Sequence, residues 1–395
     1  MLTVEELNDR LIDLSFAEDI GDGDHTTLCC IPETEMGESK LLIKEEGIFA
    51  GLEIAKQVFH RFDPTLEVET YIEDGAHVKP GDIVMSVKGK VQSLLQTERL
   101  MMNILQRMSG IATMTHKYQQ ALIDAGTKTR VLDTRKTTPG MRMLEKEAVK
   151  IGGGMNHRIG LFDMILLKDN HIDFCGGVHN AISRAKQYCT EKGKEQSLLQ
   201  TERLMLNILQ RMSGIATMTH KYQQALIDAG TKTRVLDTRK TTPGMRMLEK
   251  EAVKIGGGMN HRIGLFDMIL LKDNHIDFCG GVHNAISRAK QYCKDHGKDL
   301  KIECEVRNWK ELEEALAEGC DRIMFDNFTP EDTEKAVKLV AGRAETESSG
   351  GITFDTMIPY AKAGVDFISF GALTHSVKGL DMSFKAAGSD KLIIK

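Results

Sequence analysis

The chain has 395 residues, of which 41% are hydrophobic and 5% aromatic, and a formal net charge of −5 at pH 7. This length and composition predict a soluble globular protein of roughly two or three domains, without the basic, aromatic-rich face that binds nucleic acid. No apolar run approaches the roughly 18 residues that a membrane span needs, and the N-terminal stretch MLTVEELNDRLIDLSF lacks a signal-peptide pattern. We therefore expect a cytoplasmic protein that binds neither nucleic acid nor membrane.

Residues 1–91 are predicted to form a small α/β domain. Thr3 and Glu6 have the spacing of a capping box, which opens a helix. Further along, strand patterns surround one predicted helix near 52–62, and the sequence KPGD at Lys79–Asp82 predicts a turn between two short strands.

The segment that follows occurs twice. Gln92–Cys189 is repeated as Gln196–Cys293, 98 residues at an offset of 104, with the single difference of Met102 against Leu206. We call these segments copy 1 and copy 2. Near-identity over this length is not typical of solenoid repeats, whose units are shorter, and indicates an in-frame duplication of part of a fold. The chain thus divides into an N-terminal domain, copy 1, a linker, copy 2 and a C-terminal remainder (1–91, 92–189, 190–195, 196–293 and 294–395).

Strand and helix patterns alternate from copy 1 onward. Two predicted helices, 93–108 and 114–125, come first. Counted through one copy, six strand patterns follow: VLD, MILL, IECEV, RIMF, a weak one near Ala344, and DFISF. Such alternation predicts a parallel sheet, and six units in series favour a small α/β barrel over an open sheet.

Polar residues follow the carboxyl ends of these strands, where α/β-barrel enzymes have their active sites. The first two strands are followed by the cationic segments TRK and KDNH, while Glu305 lies within the third strand and Asp326 follows the fourth. The cations suit a ligand with several carboxylates or phosphates, and SSGG and FGALTH after the last two strands suit a phosphate group. Two carboxylates beside a phosphorylated substrate suggest Mg²⁺.

Each feature also has a purely structural interpretation. A lone Arg158 or Lys168 is more often part of a surface ion pair, and a lone His157 is as often a core residue as a ligand. The GGG of Gly152–Gly154 is predicted to end a helix, since it lacks the GxGxxG and GxxxxGK[ST] patterns of phosphate loops. The functional interpretation depends on all these residues occurring together at strand ends.

The motifs together resemble a known family. GDGDHTT, TERLMMNILQRMSGIAT, LDTRKTTPG, GGGMNHRIGLFDMILLKDNHI, IECEV, FDNF, SSGGI and FGALTHS occur in this order through a 291-residue equivalent, the chain without one 104-residue unit. They are similar to the quinolinate phosphoribosyltransferases, also called carboxylating nicotinate-nucleotide pyrophosphorylases. The resemblance implies an α/β fold with a sandwich-like N-terminal domain and an open α/β barrel of the type II phosphoribosyltransferase kind, here with a duplicated helix–strand–helix–strand–helix segment.

The resemblance also implies the reaction. Quinolinate and 5-phosphoribosyl pyrophosphate (PRPP) would give nicotinate mononucleotide, pyrophosphate and CO₂ in NAD synthesis, with Mg²⁺ required. The partners would be these small molecules and a second subunit, because the active site of the family's homodimer is shared and an arginine, here Arg99, reaches the barrel of the other subunit.

Roles for individual residues follow from the same resemblance. The implied catalytic residues are Lys136, Lys168, Glu305 and Asp326, of which Glu305 and Asp326 would hold the metal directly or through water. The implied substrate-binding residues are Arg99, Thr134, Arg135, His157, Arg158, Ser349, Gly350, Gly371 and His375. The equivalents in copy 2 are Arg203, Thr238, Arg239, Lys240, His261, Arg262 and Lys272.

The duplication limits what the chain can build. The strands that carry Glu305, Asp326, Ser349 and His375 occur once, so two complete sites cannot form. We predict that copy 1 builds the barrel, because the extra segment then starts at the polar joint TEKGKE, on the barrel face away from the site. Copy 2 would remain as an apolar fragment that exchange between subunits would bury.

Two other functions remain open at this point. A related phosphoribosyltransferase on the same scaffold would use another base, although the full TRK, HR and KDNH set favours quinolinate. Alternatively, the duplication has produced a non-catalytic protein, which only the repeated segment suggests.

Overall fold

The computed structural model describes residues 2–192 and 201–382. The helices are α1 (Val4–Ile20), α2 (His25–Cys30), α3 (Leu52–Phe62), α4 (Val91–Asp124), α5 (Arg142–Ile151), α6 (Asp169–Phe174), α7 (Val178–Lys192), α8 (Thr201–Asp228), α9 (Arg246–Ile255), α10 (Asp273–Cys279), α11 (Val282–Asp295), α12 (Trp309–Glu318), α13 (Pro330–Val340), α14 (Met357–Lys362) and α15 (Ala372–His375). The strands are β1 (Met36–Leu42), β2 (Gly47–Ile48), β3 (Glu67–Thr70), β4 (His77–Val78), β5 (Ile83–Lys90), β6 (Arg234–Leu236), β7 (Ile269–Leu271), β8 (Ile302–Val306), β9 (Arg322–Asp326), β10 (Glu345–Ser349) and β11 (Phe367–Ser369). Within the described ranges, no helix has the length and apolar composition to cross a membrane.

The N-terminal residues form the predicted α/β domain. An antiparallel sheet of order β1-β5-β3 and the β2-β4 pair surround α3. The capping box is confirmed, because the Glu6 N–H donates to the Thr3 hydroxyl (3.1 Å) and the Thr3 N–H donates to the Glu6 carboxylate (2.7 Å). The predicted helix near 52–62 and the turn at Lys79–Asp82, between β4 and β5, are also confirmed.

The helix that starts copy 1 is longer than expected. The predicted pair of helices at 93–108 and 114–125 was wrong, since α4 runs without interruption. The SGIAT sequence between the two predicted helices fastens α4 to the N-terminal domain. The Ala50 N–H donates to Ser109 Oγ (3.0 Å) and the Ile48 N–H donates to Thr113 Oγ1 (2.8 Å). The two hydroxyls therefore satisfy backbone donors of a neighbouring element instead of competing with the helix.

The second half of the chain forms a parallel sheet of six strands in the order β6-β11-β10-β9-β8-β7. All six predicted strands are confirmed. The two outermost strands, β6 and β7, are consecutive in the sequence, and the loops after both of them line the same pocket. The sheet therefore curves into a barrel that is open between β6 and β7, as expected.

The barrel contains the strands of copy 2, so the prediction that copy 1 builds it was wrong. β6 pairs with β11 and β7 pairs with β8. Two helices, α10 and α11, join β7 to β8 along the chain. If copy 1 supplied these strands, the whole of copy 2 would form the connecting loop, and closing a longer loop costs more entropy.

The same sequence in copy 1 forms no strand among the described residues. Leu132 makes only an isolated bridge with Met155, and the MILL residues have no regular structure. Leu132 is 53% exposed, whereas its equivalent Leu236 is 1% exposed. The helices, by contrast, occur in both copies. Helices bond within themselves, but a strand needs a neighbouring strand, and only copy 2 has one.

The GGG sequences end helices as predicted, because α5 and α9 stop directly before them. The polar linker predicted at 190–195 begins within α7. Its remaining residues lie outside the described part of the chain.

We expect Leu236→Ala to lower the free energy of barrel unfolding by about 2–5 kcal/mol, because it leaves a cavity in the core. Leu132→Ala, the same change at the exposed equivalent position, should alter it by no more than about 0.5 kcal/mol. Urea unfolding followed by the fluorescence of Trp309, the single tryptophan, reports on the barrel because Trp309 begins α12. A large effect of Leu132→Ala on this signal would mean that copy 1 occupies the barrel.

Candidate active site

A cavity of about 650 Å³ lies at the carboxyl ends of the barrel strands. It is lined by the loops after β6, β7, β10 and β11, by side chains of β8 and β9, by α2 and its preceding loop, and by α4. This is the position at which α/β-barrel enzymes bind their substrates.

Positive charge dominates one wall of the cavity. Arg239 and Lys240 follow β6, Arg262 precedes β7 and Lys272 follows it, while Arg99 enters from α4 of copy 1. Burial lowers the pKa of Lys240, and the charges of Arg99 and Lys272 lower it further. Burial also lowers the pKa of Arg262 to about 10, with the charge of Arg239 as the next cause. Cations that depress one another's pKa values in this way create a field that an anionic ligand would neutralise.

The N-terminal domain holds this wall in place. Asp19 of α1 forms ion pairs with Arg239, at 2.5 Å between Oδ2 and Nη2, and with Arg246. Burial alone would raise the pKa of Asp19, but Arg239 and Arg246 hold it well below its ordinary value. Thr26 of the GDGDHTT motif accepts hydrogen bonds through Oγ1 from Arg262 Nη1 (3.2 Å) and from a backbone N–H of β7 (3.1 Å). The motif therefore orients a cationic residue of the barrel.

Two carboxylates form a second wall of the cavity, which begins beside Lys272. Burial raises the pKa of Glu305 to about 7, while Lys272, whose Nζ is 3.9 Å from Glu305 Oε2, opposes this shift. The neighbouring charge of Asp326 raises the pKa of Glu305 further. Burial likewise raises the pKa of Asp326, whose Oδ2 accepts a hydrogen bond from Asn327 Nδ2 (2.8 Å). Two carboxylates that repel each other in a cavity are suited to a divalent cation.

His261 lies at the base of the cavity and is buried. Its Nε2 is 2.9 Å from Glu303 Oε2 and 3.6 Å from Glu347 Oε2. Burial lowers the pKa of His261 to about 4 despite the opposing charge of Glu347, so the imidazole is neutral at pH 7. The ligand atoms of these three residues lie within 4.8 Å of one another. Arg322 Nη1 lies 3.4 Å from Glu347 and compensates part of the negative charge of the two glutamates. His261, Glu303 and Glu347 therefore form a buried polar cluster beneath the substrate-binding residues.

Glu303 and Glu347 are not among the site residues predicted from the sequence. The signal that identifies them is their spacing within strands, since Glu303 lies two residues before Glu305 and Glu347 two before Ser349. Residues two apart in a strand share one face, which here is the inner face of the barrel.

The predicted phosphate-binding residues Ser349, Gly350, Gly371 and His375 all line the cavity. Gly350 has φ +96°, and a Cβ atom there would lie 2.2 Å from Asn327 Oδ1, so only glycine fits. Burial lowers the pKa of His375, and the charges of Lys240 and Arg99 add to this effect. The last two loops therefore meet the cationic wall.

The structure separates the other predicted residues by copy. Those of copy 2 line the cavity at the strand ends, called the main cavity from here on: Thr238, Arg239, Lys240, His261, Arg262 and Lys272. Their copy 1 equivalents line a separate pocket of about 180 Å³: Thr134, Arg135, Lys136, His157, Arg158 and Lys168. The prediction that the copy 1 residues join Glu305 and Asp326 was therefore wrong, with the exception of Arg99. The side chain of Arg203 lies outside the described residues.

An open α/β barrel with a cation-rich, carboxylate-faced cavity at its strand ends defines an enzyme fold that receives anionic substrates. Sequence similarity agrees with this class. The family model for the N-terminal domain of quinolinate phosphoribosyl transferase matches residues 24–109, and that for the C-terminal domain matches 111–204 and 215–385. The two C-terminal ranges start at equivalent positions of the two copies, Ile111 and Ile215. The chain belongs to the quinolinate phosphoribosyltransferase family.

Similar proteins span nearly the whole chain. A Bacillus subtilis (strain 168) protein named probable nicotinate-nucleotide pyrophosphorylase (carboxylating) is 32% identical, covering 97% of this chain and 95% of its own length. A chloroplastic nicotinate-nucleotide pyrophosphorylase (carboxylating) of Oryza sativa subsp. japonica is 34% identical, covering 95% of this chain and 76% of its own. The crystal structure of NadC from Streptococcus pyogenes is 30% identical over 98% of each chain, with a TM-score of 0.43.

The raised pKa of Glu305 predicts a pH-dependent stability. Its ordinary value is 4.5 and its folded value about 7, so the folded state binds the proton more tightly. The contribution of Glu305 is therefore fully present below pH 4.5 and is lost as the pH rises to about 7, a change on the order of 3 kcal/mol. Relative to Glu305→Gln, the parent should lose stability across this window in urea unfolding followed by Trp309 fluorescence. Parallel stability curves for the two proteins would contradict the assignment.

Proposed function

We propose that the main cavity joins quinolinate to PRPP and releases pyrophosphate and CO₂, giving nicotinate mononucleotide. The observation that carries the proposal is the pairing of a wall of cations with two carboxylates in one cavity. Quinolinate has two carboxylates and PRPP has phosphate and pyrophosphate groups, so both substrates need cations. Family membership supports the same reaction.

In this proposal, the cations align two anionic substrates. Thr238, Arg239, Lys240 and Arg262 bind the carboxylates of quinolinate, and Ser349, Gly350, Gly371 and His375 bind the 5′-phosphate end of PRPP. Alignment lowers the barrier because the reacting atoms are already adjacent. The ring nitrogen of quinolinate attacks C1 of the ribose, and the bond from that carbon to pyrophosphate breaks with its electrons leaving on the pyrophosphate oxygen. Lys240 and Lys272 stabilise the charge that develops there.

Loss of CO₂ follows on the same base. The bond between ring carbon 2 and its carboxylate breaks, the electron pair stays on the ring carbon beside the cationic nitrogen, and a proton from solvent replaces the lost group. Positive charge near that carboxylate, from Arg239 and Lys240, holds it in place. The substrate supplies the nucleophile, so no side chain forms a covalent bond.

Mg²⁺ fits the carboxylate wall. Glu305 and Asp326 offer oxygen ligands. Burial raises the pKa of both carboxyl groups, and the charge of Asp326 adds to the shift of Glu305, so a bound cation would stabilise their charged forms. When bound, the metal would neutralise the pyrophosphate of PRPP and would keep several waters. Glu305 and Asp326 would hold it directly or through water, and Asn327 orients Asp326 by its hydrogen bond.

A complete barrel and cavity favour an active enzyme over a product disabled by duplication, and the full cationic set favours quinolinate over another base. A cytoplasmic location remains a prediction, and the second subunit is only what the family resemblance implies. The contact that the family resemblance implies between subunits has a counterpart within this chain, because Arg99 of copy 1 lines the cavity of copy 2.

We expect purified protein to form nicotinate mononucleotide from quinolinate, PRPP and Mg²⁺, measured by chromatography. Lys240→Ala should lower kcat/KM by roughly 100-fold or more, the usual loss when one charge-stabilising group is removed. Lys136→Ala, the same change in copy 1, should retain activity within about twofold. Omitting quinolinate tests for another base. Absence of product in the parent would refute the proposal, and equal losses in both variants would refute the assignment to copy 2.

A further inference from the structure

The two long helices of the duplication contact each other's copy reciprocally. Asn103 of α4, in copy 1, donates through Nδ2 to the backbone carbonyls of Arg239 (3.3 Å) and Thr241 (2.8 Å) in copy 2. Asn207 of α8, its equivalent in copy 2, donates to the carbonyls of Arg135 (3.3 Å) and Thr137 (2.7 Å) in copy 1. Each helix thus holds the TRKTT loop of the other copy.

Each helix also holds the loop of its own copy. Arg107 pairs with Glu145 (2.7 Å) and donates to Thr138 Oγ1 (2.8 Å). In copy 2, Arg211 pairs with Glu249 (2.9 Å) and donates to the Thr242 hydroxyl (3.2 Å). These contacts and the reciprocal ones define an approximate two-fold relation between the copies. A residue of copy 1 contacts a residue of copy 2, and their equivalents in the other copy make the same contact. Such isologous contact normally joins two subunits of a dimer, but here both units belong to one chain.

Equivalent residues of α4 and α8 are buried to different extents, so the two helices pack against different parts of the molecule. Leu105 is 3% exposed in the core of the N-terminal domain, whereas its equivalent Leu209 is 44% exposed. Tyr222 is 7% exposed against the barrel core, whereas its equivalent Tyr118 is 58% exposed. The first part of α4 therefore packs on the N-terminal domain, and the later part of α8 packs on the barrel.

The packing of α4 on the N-terminal domain places Arg99 at the cavity. Arg99 lies about one helical turn before Asn103, which fastens α4 to the loop of copy 2. From there Arg99 reaches the cavity near Lys240 and His375, whose pKa values it lowers. The cavity therefore takes strands β6 and β7 and the loops after them from copy 2, and one of its cations from copy 1. Without the helix of copy 1, this cavity lacks that cation.

We propose that the duplication completes the active site in cis: the helix of copy 1 and the barrel of copy 2 form one working site within a single chain, which needs no partner subunit. Arg99 serves this site. The pocket of copy 1 is related to the site by the approximate two-fold relation between the copies. It lacks strands β8–β11, so it cannot become a second site. This inference rests on the proposed function for its activity readout, but the assembly itself rests on the contacts above.

Matched substitutions test which copy supplies the helix. Arg99→Ala should lower kcat/KM by roughly 100-fold, whereas Arg203→Ala should retain activity within about twofold. The reverse ranking of the two variants would overturn the proposal. The parent should also sediment as a monomer with a specific activity that is unchanged by dilution.

Complementation then separates a site in cis from one between chains. Arg99→Ala and Lys240→Ala chains are co-expressed with different affinity tags and purified together and singly. A site in cis gives no recovery, because each chain lacks one of its own two residues. A site between chains would recover up to about a quarter of the parent activity, because half of randomly formed dimers are mixed and each has one intact site of two. Recovery would overturn the proposal.

A parent without activity would refute the proposed function but would leave the assembly open to a separate test. Cysteines are placed at Asn103 and Thr241, and ¹⁴N- and ¹⁵N-labelled chains are mixed, refolded together and joined with a short bismaleimide, with the single variants as controls. Peptide links should pair only equal isotopes, as expected for contact in cis. Mixed-isotope links at a random frequency would show that α4 contacts the barrel of another chain.

Discussion

The structure depends on one constraint: a barrel strand is stable only beside another strand, and β8–β11 occur once. These four strands can accept a single pair of neighbours, β6 beside β11 and β7 beside β8. Copy 2 precedes them directly in the chain, so its strands fill both places with the shortest connection. Copy 1 keeps its helices, whose hydrogen bonds are internal, but its would-be strands remain partly exposed.

A second interaction fixes the N-terminal domain on this barrel. Asp19 is buried between Arg239 and Arg246, and removing one partner of such a group leaves buried charge uncompensated, at a cost of about 3–5 kcal/mol. The same contact sets the electrostatics of the site. Asp19 holds the guanidinium of Arg239 in place at the cavity, beside the cations Lys240 and Arg99. The ion pairs of Asp19 therefore both attach the N-terminal domain to the barrel and position a cation of the substrate-binding cavity.

The duplication places one sequence in two environments and thereby separates functions that a single copy would combine. In copy 1 the long helix completes the core of the N-terminal domain and presents Arg99. In copy 2 the equivalent helix covers the barrel, and its loops present Lys240 and Lys272. The reciprocal hydrogen bonds of Asn103 and Asn207 hold these two arrangements together. The chain thus uses both copies of its repeated segment in one site.

The sequence alone determined the small N-terminal domain, the six barrel strands, the capping box at Thr3 and the residue types of the site, because each follows from local periodicity, turn chemistry or charge. It also pointed to the family through motifs in a fixed order. It did not reveal the buried pair Glu303 and Glu347, whose partners come from distant strands, or the unbroken α4, whose Ser109 and Thr113 bond to another element. Above all it could not choose between the copies. Leu132 and Leu236 have the same neighbours along the chain and hence the same local preferences, so only the tertiary structure, through the single set of strands available for pairing, decided which one is buried.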